Sequence, residues 1–156
     1  MTNINDIRGQ YADDDIIQAA AVIADERFIR DSDALSSPTA VRGYLRDRMR
    51  PLQHEEFLVI FLDNHHRVID ARAMFRGTID SASVYPREVA REVLTRGAAA
   101  VILAHNHPSG RATPSSADRN ITERLKDALE LIDCRVLDHF IVADREVLSM
   151  TENGDM

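Results

Sequence analysis

Two histidines two positions apart, His105 and His107, end an apolar run that begins at Ala98, and a carboxylate, Asp118, follows eleven residues later. Three such groups can hold one metal ion and leave the fourth of zinc's usual positions open to water, the arrangement of a catalytic rather than a structural site. Residues i and i+2 of an extended segment project to the same side. His105 and His107 can therefore share an ion at the mouth of a sheet. Pro108, Gly110 and Pro114 bound a tight loop that returns the chain and sets Asp118 in the first turn of the next helix. Imidazole nitrogen and carboxylate oxygen together suit Zn²⁺. A bound Zn²⁺ lowers the pKa of its water to about 7 and polarises a carbonyl.

Hydrolysis at such a site also needs a base. Two adjacent acids, Glu55 and Glu56, stand at the start of the first apolar strand. Side chains alternate along a strand, so only one of them can face the ion. Ser115 can hydrogen-bond an oxyanion developing on the substrate. Ser115-x-x-Asp118 also reads as a helix capping box with a short acid at its third position, and the two roles are compatible. The other histidines carry less. His65 and His66 sit in a turn and read as solvated, and His54 precedes the strand and is ambiguous. His139 interrupts a buried strand, either as a hydrogen-bonded core histidine or as an outer-shell residue of the site. The letters His105-Asn106-His107 are not the signature of the HNH nucleases, whose residues are dispersed along a hairpin and helix.

The elements that must position these groups follow from periodicity. Residues 1–12 read as a loose arm. Apolar residues from Ile16 recur at helical spacing to about Ile29. Residues 32–37 form a polar break, and Ser37-Pro38 starts a second helix that ends before Pro51. Phe57 to Leu62 and Val68 to Phe75 predict a hairpin across the turn Asp63 to His66. Pro86 opens a helix closed by Gly97. Ala98 to Ala104 is a third strand, Ser115 starts a long helix, Val136 to Val142 is a fourth strand, and Val147 to Met150 adds a short edge. The final residues from Thr151 read as frayed. Strands separated by helices, one pair joined as a hairpin, predict an α/β protein with a mixed sheet and flanking helices.

The motif His-x-His, seven residues, Ser, two residues, Asp is filled by His105, His107, Ser115 and Asp118. With the stretches Phe75 to Thr78, Tyr85 to Glu88, Ala104 to Gly110 and Leu137 to His139, the chain resembles the RadC-like branch of the JAB/MPN metalloprotease superfamily. The resemblance runs from about Ser37 to about Met150. It implies a cytidine-deaminase-like α/β fold, one Zn²⁺ held by His105, His107 and Asp118, and a glutamate base at the start of the hairpin. The family spacing favours Glu55, with Glu56 the alternative. The implied division is an N-terminal arm and helix over 1–36, a JAB/MPN metal-dependent hydrolase domain over 37–150 and a tail over 151–156. The chain resembles the short form, without a helix-hairpin-helix module. The implied activity is zinc-dependent cleavage of a peptide or isopeptide bond. The alternative is a non-catalytic zinc-binding scaffold or a DNA repair or maintenance accessory protein.

The bulk properties narrow the partners. The 156 residues are 44% hydrophobic and 29% charged, values of an ordinary globular protein. A net charge of −7 argues against sequence-independent DNA binding, and nearly all the basic residues are arginine, Lys126 being the one lysine. A protein or peptide substrate fits better. The single cysteine, Cys134, excludes an internal disulfide and reads as a small core residue. No apolar run approaches the roughly 20 residues needed to span a bilayer, and no signal-type stretch opens the chain, so no membrane partner and a cytoplasmic location are expected.

Overall fold

The computed structural model describes residues 3–31, 37–77 and 84–156. Most of the polar break at 32–36 and Thr78 of the family stretch lie outside them. The elements are α1 (Ile4–Arg8), α2 (Asp13–Arg30), α3 (Pro38–Met49), β1 (Glu56–Leu62), β2 (Val68–Arg76), α4 (Pro86–Arg96), β3 (Ala100–Asn106), α5 (Ser116–Glu130), β4 (Arg135–Val142) and β5 (Val147–Ser149). The strands form one sheet in the order β2-β1-β3-β4-β5. Only β3 and β4 run parallel, joined by the crossover through α5; the other neighbours are antiparallel. The architecture is the mixed α/β sheet with flanking helices that the sequence predicts.

β1 and β3 are buried at every residue, because helices cover both faces of the sheet centre. Alternation along β1 divides the core in two. Phe57, Val59 and Phe61 pack with Val89 and Val93 of α4 and Ile121, Leu125 and Leu129 of α5. Leu58, Ile60 and Leu62 pack with Val41, Leu45 and Met49 of α3, and Ile17 and Phe28 of α2 lie against the same cluster. Each fully buried side chain of this size contributes roughly 1.5–3 kcal/mol. Cys134 is a buried member of the α4/α5 side, and burial pushes its thiol pKa up to about 11.

The helix ends follow local chemistry. Ser37 caps α3, its hydroxyl accepting from the Ala40 N–H with Pro38 at the first helical position. Gly97 ends α4 in the left-handed region at φ 63°, which glycine enters without penalty.

Three local readings differ from the structure. The predicted loose arm contains α1, whose start is held by the Asn3 side chain accepting from the Asn5 N–H. The C-terminus is tied rather than frayed: the Asp155 N–H donates to the Met150 carbonyl at 2.8 Å, and its carboxylate pairs with Arg119 at 2.8 Å. β3 runs on through His105 and Asn106, because Phe57 pairs with His105 on one side and Ile141 and Val142 continue the ladder on the other. Among the described residues, no helix is long and apolar enough to cross a membrane.

Candidate metal centre

His105 and Asn106 are the last residues of β3, and the His107 N–H donates to the Val142 carbonyl at 2.8 Å, so the strand geometry extends through all three. Alternation then sends both imidazoles to the α5 face. Beyond them the chain turns. The Gly110 N–H donates to the His107 carbonyl at 3.0 Å, and Gly110 takes φ +86°, which a side chain would resist. The turn brings back the Arg111 carbonyl to accept from His107 Nδ1 at 2.7 Å. His107 Nε2 is thereby left as the unprotonated nitrogen of a neutral ring.

The helix supplies the third group. The Ser115 hydroxyl accepts from the Asp118 N–H at 3.1 Å, and Asp118 Oδ2 accepts from the Ser115 N–H at 2.6 Å, the reciprocal capping box of α5. A carboxylate in the first helical turn is also favoured by the helix dipole. From this fixed position Asp118 Oδ1 lies 3.0 Å from His105 Nε2, and Oδ2 lies 3.4 Å from His107 Nε2. The two Nε2 atoms are 2.8 Å apart. His105, His107 and Asp118 thus form a three-residue cluster able to hold a metal ion.

The donor set fits zinc. Nitrogen and oxygen ligands at tetrahedral Zn²⁺ distances stand roughly 3.3 Å from one another, close to the separations seen here. Burial would raise the Asp118 pKa, but the His105 and His107 rings against its oxygens outweigh it and hold the carboxyl well below its ordinary range. The hydrogen bond to Asp118 raises the His107 pKa against the opposing effect of burial, and the Arg111 carbonyl and the Glu55 carboxylate add to the rise. Both shifts have one cause, a carboxylate held against two imidazoles.

Access is one-sided. The His105 and Asp118 side chains are 1% and 4% exposed and that of His107 is 16%, so the opening lies on the His107 side. A cleft of about 330 Å³ lies past the end of β3 toward the C-terminal end of α3, lined by Met49, Arg50, Gln53, Asn106 and His107; His107 is the one ligand residue on its wall. A larger cavity of about 660 Å³, around Asp63, Cys134 and Arg135, lies at the opposite end of β3 and β4, away from the ligands.

The neighbouring acids separate. Glu56 is fully buried on the α3 side, with Arg48 at 2.8 Å, Arg76 at 3.4 Å and His54 at 3.5 Å. Glu55 shares the parity of Phe57, which pairs with His105, and its charge is felt at His107. His139 lies beneath the ligands, fully buried, with Nε2 2.8 Å from His105 Nδ1. Burial and the His105 ring lower its pKa well below the ordinary value. His66 lies in the hairpin turn at φ 58°, away from the centre.

Two residues escaped the sequence reading. Asn106, between the ligands, points to the other face. Its side-chain oxygen accepts from the Glu56 N–H and its side-chain NH₂ donates to the His54 carbonyl, both at 2.8 Å, clamping the backbone on either side of Glu55. Thr122 lies one helical turn after Asp118 and contacts both Asp118 and His139. Its i+4 spacing from Asp118 was the available signal.

A family model described as the RadC-like JAB domain matches residues 35–155. The chain belongs to that family. Among its RadC-like relatives, a UPF0758 protein of Stutzerimonas stutzeri strain A1501 is 63% identical over 131 residues, 84% of this chain and 58% of the relative. A UPF0758 protein of Ectopseudomonas mendocina strain ymp is 60% identical over the same shares. One from Vibrio cholerae serotype O1 strain M66-2 is 58% identical over 126 residues, 81% of this chain and 56% of the relative. This RadC-like chain therefore spans less than two thirds of the relatives it matches.

Proposed function

We propose that this RadC-like domain is a zinc-dependent hydrolase of peptide or isopeptide bonds, with His105, His107 and Asp118 as ligands. The observation that carries this reading is the convergence of two imidazole nitrogens and a carboxylate at one end of the sheet. A zinc ion held there would supply Lewis acidity and make water a nucleophile near neutral pH. Glu55, on the ligand side of β1, takes a proton from the attacking water and returns it to the leaving amine. The Asn106 clamp and the Gly77 N–H donating to the Glu55 carbonyl at 3.0 Å hold its backbone while it does so. Ser115 accepts the Asp118 N–H through its hydroxyl oxygen, and its own hydrogen can be donated to a developing oxyanion. The net charge of −7 favours a protein or peptide substrate over a nucleic acid.

A second reading is a non-catalytic scaffold or DNA-maintenance accessory, in which the ion would staple α5 to β3. The use of Asp118 in the capping box favours it, since the same carboxylate already has a structural task. Turnover separates the two. Purified protein should hold about one zinc per chain, as a single three-ligand site requires, and His105→Ala should lose it. The zinc-loaded protein should cleave members of a peptide and isopeptide library, and His105→Ala should not. Stoichiometric zinc without cleavage would overturn the hydrolase and leave the scaffold.

A further inference from the structure

Beneath the ligands lies a closed circuit of buried hydrogen bonds. Thr122 and His139 are both fully buried. The Thr122 hydroxyl donates to the Asp118 carbonyl at 2.6 Å, the usual back-bond of a threonine inside a helix. Its oxygen also lies 2.7 Å from His139 Nδ1. His139 Nε2 in turn lies 2.8 Å from His105 Nδ1. The circuit closes where His105 Nε2 meets the Asp118 carboxylate at 3.0 Å.

A hydroxyl has one hydrogen, and here it is spent on the Asp118 carbonyl. Thr122 can then offer His139 Nδ1 only a lone pair, so Nδ1 must carry the hydrogen. A neutral imidazole protonated at Nδ1 is bare at Nε2. His139 Nε2 therefore accepts, and His105 must donate from Nδ1. With an ion between His105 Nε2 and the Asp118 carboxylate, this polarity leaves Nε2 bare, the state a metal ligand requires. With the opposite polarity every hydrogen reverses, and the ligand nitrogen of His105 is capped by its own hydrogen.

We infer that Thr122, acting through His139, is a positioning residue that fixes the tautomer of His105 and so keeps its Nε2 open for metal. This rests on the proposed ligand set but concerns residues that touch neither metal nor substrate. Outer-shell partners of metal-bound histidines are typically worth 10–100-fold in metal affinity. The carboxylate or carbonyl that usually receives the second N–H is replaced here by another imidazole, whose own polarity has to be set, and Thr122 sets it.

The test compares wild type, Thr122→Val and Thr122→Ser by zinc Kd in chelator competition and by histidine ¹⁵N NMR of zinc-loaded protein. Valine keeps the volume and loses the hydroxyl; serine keeps the hydroxyl. In wild type and Thr122→Ser, His105 and His139 should both carry hydrogen on Nδ1. In Thr122→Val, the His139 Nδ1–H should lose its acceptor and its ¹⁵N resonance should shift, and the zinc Kd should rise by about 10–100-fold. Serine should restore both readouts, which a volume or folding effect would not do. An Nε2–H tautomer of His139 in the wild type, or a zinc Kd unchanged by valine, would overturn the inference. Failure of the wild type itself to bind zinc would instead overturn the ligand set on which it rests.

Discussion

Two polar clusters stand back to back across the end of β1, each including one of two adjacent glutamates, and they solve the problem of buried charge differently. On the α3 side, Glu56 meets Arg48, whose guanidinium also binds Asp25 of α2 at 3.0 Å, and the Tyr44 hydroxyl donates to the same carboxylate. Burial disfavours the Arg48 charge, but Glu56 and Asp25 outweigh that cost and raise its pKa. On the α5 side, His105, His107 and Asp118 present acceptors to one another, with Glu55 on the same side of the strand. The first cluster contains its own cation. The second gathers groups that suit a cation from outside. A buried acid with a built-in guanidinium ties elements together; a buried acid facing bare imidazole nitrogens recruits.

The sharpest way to break this contrast is to exchange the two acids for amides. Glu55→Gln should lower hydrolysis by about 10²–10⁴-fold, the usual worth of a general base, and keep zinc content unchanged. Glu56→Gln should retain most activity per folded molecule. The reverse result, read in steady-state rates beside metal analysis, would move the base to the other face.

Next in size is the built-in cation. Arg48→Met leaves the Glu56 carboxylate buried with Arg76 and His54 as its charged neighbours among the described residues, and breaking such a pair costs roughly 3–5 kcal/mol. Urea unfolding should show this loss while zinc stoichiometry stays the same. A loss below about 1 kcal/mol, the scale of an exposed pair, would mean that Arg48 is no more than a surface partner.

The pH response should differ with and without metal. Without zinc, the raised His107 pKa contributes stability that is complete below its ordinary 6.5 and is lost as pH rises through the folded value. The depressed Asp118 pKa contributes stability above its ordinary 3.8 and loses it on further acidification. Zinc needs the neutral imidazole, so protons compete with it below the raised His107 pKa. Chelated protein should therefore lose melting temperature as the pH rises above His107's ordinary 6.5, while the increment added by zinc grows over the same range. Parallel melting curves at each pH check both trends.

The smallest effect belongs to the cap. Ser115→Ala removes the acceptor of the Asp118 N–H and should cost about 1 kcal/mol in thermal or urea unfolding. Any additional fall in turnover at constant zinc content would measure the hydroxyl's contribution to the oxyanion.

Much of this was legible in the sequence. Apolar runs and alternation located all five strands, and the proline and glycine signals located the ends of α3 and α4. The His105, His107 and Asp118 cluster followed from spacing alone, because both the strand period and the first helical turn are local rules. Sequence could not show that Glu56 has Arg48 opposite it, since that contact joins β1 to a different helix. Asn106 was hidden for the same reason. Its partners, His54 and Glu56, lie some fifty residues away, and only the antiparallel register of β1 and β3 brings them together.

That asparagine also says something about how the centre comes apart. Its two bonds extend the β1–β3 ladder past its last rung, while His105 remains held between β1 and β4. Strand ends open more readily than sheet centres. On the proposed mechanism, breathing at this end would loosen the backbone around Glu55 while His105 stays in the sheet, parting the proton acceptor from a ligand that still holds. On that mechanism, the share of molecules ready to react is the share in which the Asn106 rung is closed.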